Sequence, residues 1–128
     1  MALTTTFKTN PVKTIIINQT VSTSAAGVGD NNVAGGPAFI LSVNINNANG
    51  GDATHTKLYN LSSAVAGTNT ADVILYARPN GNLTYTFHPP LEFSVGISMV
   101  TTTTPGQAGT TAPGTPPAVT LILSETAS

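Results

Sequence analysis

What most constrains this chain is the spacing of its apolar residues. Short runs alternate apolar and polar side chains with a period of two, and Gly, Asn, Asp and Pro interrupt them before any becomes long. No stretch carries the 3.6-residue periodicity of an amphipathic helix. Alternation suits a half-buried strand, whose successive side chains point to opposite faces. Seven runs stand out. Ile15, Ile17 and Val21 form the first, Phe39, Leu41, Val43 and Ile45 the second, and Lys57 to Leu61 the third. Asp72 to Arg78 and Asn82 to His88 are the fourth and fifth. Phe93, Val95, Ile97 and Met99 share one face of the sixth, and Val119, Leu121 and Leu123 mark the last. The expected fold is all-β: an antiparallel two-sheet β-sandwich, jelly-roll or Ig-like, of about seven strands.

The 128 residues fit one domain. Residues 1–12 are polar and Thr-rich up to Asn10-Pro11 and read as an extended N-terminal arm. Residues 13–128 read as a single β-sandwich domain with a Pro/Gly/Thr-rich loop at 101–117. A structureless loop of that length is uncommon in a compact domain unless it has a function. A mobile linker and a partner-binding loop are both open readings of it.

Only nine residues are charged, 7% of the chain against roughly 25% in ordinary soluble domains. The net charge of −1 leaves no basic footprint, so no nucleic-acid partner is expected. The start, Met1 to Thr6, has no basic and apolar signal regions, and no apolar run approaches the ~20 residues of a membrane helix. A soluble protein without a membrane partner is expected. There is no Cys, which excludes a disulfide scaffold and thiolate metal sites.

The segment Arg78-Pro79-Asn80-Gly81-Asn82 reads as a hairpin turn between the fourth and fifth runs. A two-residue Asn-Gly loop would put Pro79 in a ladder position, where its missing N–H is a loss. A turn centred on Pro79 and Asn80, with Gly81 left-handed as a G1 bulge, avoids this. That register sets Val73, Leu75 and Ala77 against Phe87, Tyr85 and Leu83 on one apolar face. Asp72, Ile74, Tyr76 and Arg78 then lie on the outer face beside Thr84, Thr86 and His88.

Chemistry has little to work with. His55 and His88 are the only groups that ordinarily titrate near neutrality. The hairpin register brings Asp72 opposite His88, but an exposed nucleophile is missing, and Gly96-Ile97-Ser98 lacks the second Gly of a nucleophile elbow. Asn44, Asn46, Asn47, Asn49 and Asp52 crowd one Gly-rich stretch, yet a calcium loop wants several carboxylates. Turn chemistry explains those Asn residues better. No catalytic residue, cofactor or metal site is expected, and the chain does not read as an enzyme. A sugar platform would have to use Tyr76 or Tyr59, the aromatics expected outside.

The outward apolar residues carry more. Ile74 and Tyr76, with Ile16 and Ile40 on polar-side positions, imply apolar surface beyond one core. Another layer of the domain or another subunit must cover it. Ile74, Tyr76, Arg78 and Tyr59 are the candidate interface residues.

Lys57-Leu58-Tyr59-Asn60, then Gly67-Thr68-Asn69-Thr70, the turn Pro79-Asn80-Gly81, and Phe93 to Thr102 follow one another in a recognisable order. Over about residues 55–103 the chain resembles small virion structural proteins of tailed bacteriophages, which share a "KLY" strand, a "GT-T" loop and an "F-tGi-va-T" strand. It departs from them after Thr104, where a Pro-rich segment replaces an Asp-rich one. The resemblance implies a capsid decoration (cement) protein on the virion exterior. It would bind the major capsid protein as a homo-oligomer, with a trimer favoured. A tail or head-fibre module that binds a host-surface glycan is the alternative.

Overall fold

The computed structural model describes residues 33–107 and 109–124, together with the backbone of the strands at 12–18 and 28–30. The proposed arm at 1–12 lies outside the described residues except for Val12, and so does the side chain of Ile16. Eight strands are described: β1 (Val12–Asn18), β2 (Val28–Asp30), β3 (Ala38–Asn46), β4 (Thr54–Tyr59), β5 (Val73–Ala77), β6 (Asn82–Phe93), β7 (Ser98–Thr102) and β8 (Ala118–Ser124). They form two antiparallel sheets in the orders β1-β8-β3-β6 and β2-β7-β4-β5. No helix occurs among the described residues. The expected all-β class holds, with eight strands instead of seven. The extra one, β2, has only three residues and no alternation to reveal it.

Both sheets contribute to one buried cluster. Ile40, Val43, Ile45, Val119, Leu121 and Leu123 come from the first sheet, and Leu58, Leu75, Ala77 and Met99 from the second. Each large aliphatic side chain buried this way contributes about 1.5–3 kcal/mol. In β8 the alternation holds as read, with Val119, Leu121 and Leu123 all buried. In β3 it does not. Ile40 pairs with Leu123 and Ser42 with Ile122, so Leu41 is an extra residue relative to β8. A bulge shifts the side-chain phase by one. Upstream of it Ala38 and Ile40 face inward, whereas Val43 and Ile45 do so downstream. Ile40, expected on the polar side, is fully buried for this reason.

The largest correction concerns the expected hairpin. β5 pairs with β4 and β6 pairs with β3, so the two runs lie in different sheets. The turn does centre on Pro79 and Asn80, since the Gly81 amide donates to the Arg78 carbonyl at 3.1 Å. The left-handed residue, however, is Asn80 at φ 54°, not Gly81. That is the φ sign of the third position of a type II turn, where Asn is tolerated. Instead of closing a ladder, the turn docks on the 47–52 loop. The Asn80 amide donates to the Gly50 carbonyl at 2.8 Å, and the Asn47 amide to the Gly81 carbonyl at 2.7 Å. The inward residues were read correctly even so. Leu75 and Ala77 are buried, and Leu83, Tyr85 and Phe87 pack against the same cluster.

The sixth run is also divided. Phe93 ends β6, bends follow at Ser94 and Val95, and β7 begins at Ser98.

Candidate functional site

The second sheet is unusual in being covered on both faces. Inward from it point Thr56 and Thr101, opposite each other in the β4–β7 register, with their hydroxyls 3.0 Å apart. Outward point Lys57 and Tyr59 of β4 and Val100 of β7, and all three are buried. The cover comes from this chain. Tyr59 and Val100 pack with Ala64, Ala66 and Ala71, and Leu61 and Ile74 lie against that group. Ile74 is half-buried beside this layer of its own domain.

The Pro/Gly/Thr-rich segment forms the rest of the cover. The Lys57 ammonium donates to the Gly109 carbonyl at 2.6 Å. The Gln107 carboxamide makes two bonds with the Ala71 backbone, accepting from its amide at 2.7 Å and donating to its carbonyl at 3.1 Å. The Thr103 amide reaches the Thr111 carbonyl at 2.8 Å. β7 runs to Thr102, so the loop begins there, and it is tied down at Thr103, Gln107, Gly109 and Thr111. Gly109 is needed for close approach: a Cβ there would lie 2.4 Å from the Thr104 carbonyl oxygen.

Lys57 is therefore a cation held under a lid by a carbonyl, with no ion pair to a carboxylate among the described residues. Burial pushes its pKa below the ordinary 10.5 because desolvation disfavours the charged form. His55, two residues earlier on the same face, is also shifted down from 6.5, first by burial and then by the Lys57 charge. Burial raises the Tyr59 phenol above 10.0, and its hydroxyl is buried without a hydrogen-bond partner among the described residues.

The four candidate interface residues do not share one fate. Tyr59 is 0% exposed, so the reading of it as an outside aromatic is corrected. Ile74 is half-buried. Tyr76 is 47% exposed, and Arg78 is exposed beside the turn. Tyr76 lies against its cross-strand neighbour His55, ring centroids 5.5 Å apart, and its carbonyl accepts a bond from the Tyr85 hydroxyl. The open surface of this face is thus the edge at β5.

Asp72 and His88 are not brought together. The Asp72 carboxylate accepts from the Asn60 amide at 2.7 Å, while His88 sits on β6 in the other sheet. Ser98 is buried and donates to the Leu61 carbonyl at 2.7 Å. The Asn-rich stretch is divided: Asn44 and Asn46 belong to β3, and Asn47 and Asn49 to the loop that follows. Asn44 donates across to Asn82 and Thr84, at 2.8 Å and 3.0 Å. Asn47, 1% exposed, donates to the carbonyls of Asp52 at 2.8 Å and Arg78 at 3.0 Å, tying the 47–52 loop to the turn. Beside it is a cleft of about 140 Å³ lined by Asn46, Asn49, Thr115, Pro116 and neighbouring residues. No cluster of three or more His, Asp or Glu side chains suited to a metal occurs among the described residues.

Asn47→Ala should cost about 1–2 kcal/mol, because it removes both bonds and leaves the Asp52 carbonyl without its donor, while the Arg78 carbonyl keeps the Gly81 amide. Gly50→Ala should be destabilising as well, since the added Cβ would fall 2.1 Å from the Asn47 carboxamide oxygen. Urea denaturation of both variants measures these losses.

Sequence reading missed Lys57 and Gln107 as organisers of the lid. A Lys just before Leu58-Tyr59 in a strand was the available signal for the first; a Gln in a low-complexity loop gave none for the second. Comparison with protein-family models, with curated proteins and with solved structures found no match.

Proposed function

We propose that this chain is a phage virion structural protein, a capsid decoration protein that binds outside the shell and stabilises contacts between capsid subunits. The observation that carries the reading is the strand order. Eight strands ordered β1-β8-β3-β6 and β2-β7-β4-β5, with every connection except β4–β5 crossing between sheets, fit a two-sheet jelly roll better than a seven-stranded Ig-like sandwich. Jelly rolls serve in viral capsids and in lectins.

The segments that carry the resemblance also pack as one unit. Lys57 and Tyr59 lie under the lid, the 65–69 loop closes on itself through Asn69, and the Asn60 carboxamide holds Ser94 and Val95 at 3.1 Å and 2.8 Å. They act as scaffold, and the exposed Tyr76 and Arg78 lie apart from them on β5 and the turn that follows it. Each bound copy would stabilise the assembled shell by mass action.

Pelleting with capsids stripped of decoration tests the proposal. Saturable binding at a fixed copy number is expected, weakened by Tyr76→Lys. A folded protein that stays in the supernatant at all concentrations would sink it.

A second reading has one observation in its favour. The exposed Tyr76 ring beside His55 is the kind of surface on which a sugar can stack. A glycan array with a Tyr76→Ala control separates the two, since decoration predicts no saturable sugar binding.

A further inference from the structure

Among the described residues β5 is an edge strand, paired with β4 and with no strand on its other side. Natural edges are usually closed by Pro, Lys or a bulge. Val73–Ala77 has no Pro or Lys and pairs with β4 in unbroken register. β6, the neighbouring edge of the other sheet, carries Pro89 and Pro90, which cannot donate to a ladder. Of these two edges only β6 carries prolines; the β5 backbone is met by one described side chain, the Tyr85 hydroxyl at the Tyr76 carbonyl.

Its flanks carry opposite charges at equal distances from the strand centre. Asp72 precedes Val73, Arg78 follows Ala77, and both are exposed. We infer that β5 pairs antiparallel with β5 of a second copy, about a two-fold axis through Leu75, in a closed isologous interface.

The register follows from symmetry. A two-fold axis normal to the sheet keeps each face on its own side, and directly opposed residues share a face. Only registers centred on a residue satisfy both conditions. Centring on Leu75 pairs every residue of the strand: Val73 meets Ala77 of the second copy, and Ile74 meets its Tyr76. The same register sets Asp72 opposite the second copy's Arg78 at both ends. Moving the centre to Ile74 or Tyr76 loses strand pairs and separates the charges. Maximal backbone pairing and charge matching therefore select one register, in a chain with only nine charged residues. Opposed charges and aliphatic–aromatic pairs both favour it.

The groups involved have capacity to spare. The Tyr76 carbonyl accepts from Tyr85, and Asp72 accepts from the Asn60 amide. A carbonyl oxygen has a second lone pair, and a carboxylate has further acceptor sites.

This inference deepens the assembly reading by naming the self-association surface. A two-fold interface closes at two copies, unlike the trimer that the resemblance favours. The test is analytical ultracentrifugation of the full chain over a concentration series, without capsids, so that its failure is distinguishable from failure to bind a shell. A dimer is expected. Arg78→Glu and Asp72→Arg should each weaken it by about tenfold or more, and the double variant should restore it to within about threefold. Circular dichroism checks folding. Because Asp72 also bonds Asn60, Tyr76→Lys serves as a further variant that should dissociate the dimer while the fold is kept. A monomer throughout, a trimer, or a dimer indifferent to Arg78→Glu and Tyr76→Lys would overturn the inference.

Discussion

Lys57→Glu should lower the unfolding free energy by about 3–5 kcal/mol, the usual cost of an uncompensated buried charge. Lys57→Met should cost less, at most about 1–3 kcal/mol for the Gly109 carbonyl it leaves without a donor. The contrast comes from the lid. The Lys57 stem is enclosed and its ammonium donates to the Gly109 carbonyl. A carboxylate there would face an acceptor, whereas Met keeps the stem contacts and removes the charge that burial penalises. The pH dependence has a definite sign. The folded-state pKa of Lys57 lies below its ordinary 10.5, so between the two values the unfolded chain binds more protons and stability rises with pH. Below the folded pKa the penalty is fully present and constant. Urea denaturation from about pH 7 to about pH 10 should show a gain in the wild type that Lys57→Met lacks. An equal gain in both would remove Lys57 as the cause.

Tyr59→Ala should cost about 3–5 kcal/mol, as for other large aromatics cut from a core. Tyr76→Ala should cost far less, because that ring is half outside. Tyr59→Phe separates packing from polarity. The Tyr59 hydroxyl is buried with no partner among the described residues, so its removal should be neutral or stabilising. Thermal and urea denaturation of the three variants measure the ranking. A Tyr59→Ala protein as stable as Tyr76→Ala would mean that the second sheet is not sealed.

Much of the first sheet was legible in the sequence. β8 needed only the alternation of Val119, Leu121 and Leu123, because a strand with one buried face writes its register into its side chains. β3 was located but misphased, since one extra residue, Leu41, moves Ile40 from the polar side to the core. A bulge leaves no mark in the apolar pattern. The hairpin error has a similar origin. Turn chemistry names the residues at the bend, and Pro79 and Asn80 are there, but a local turn does not specify whether the strands it joins pair with each other. That was decided by distant partners, β4 for β5 and β3 for β6.

The site was legible only in part. Tyr76 and Arg78 were placed outside by the alternation, and they are exposed. Tyr59 and Ile74 followed the same rule to the same face, but that face is covered near them by the 60–71 segment. An irregular third layer has no periodicity to read. Its contacts come from Gln107, Gly109 and Thr111 in a segment whose composition resembles a linker. The scarcity of charge takes on a more specific meaning as a result. Of the two Lys and Arg side chains among the described residues, Lys57 is enclosed and Arg78 is exposed, and Arg78 with Asp72 flanks the β5 edge.

A reconstruction of purified virions at side-chain resolution decides whether this chain is a decoration protein. Density for it is expected on the outer surface of the shell, in contact with the capsid protein, with the β5 edge buried against a second copy. Density within the tail, or virions that lack the chain altogether, would contradict that reading.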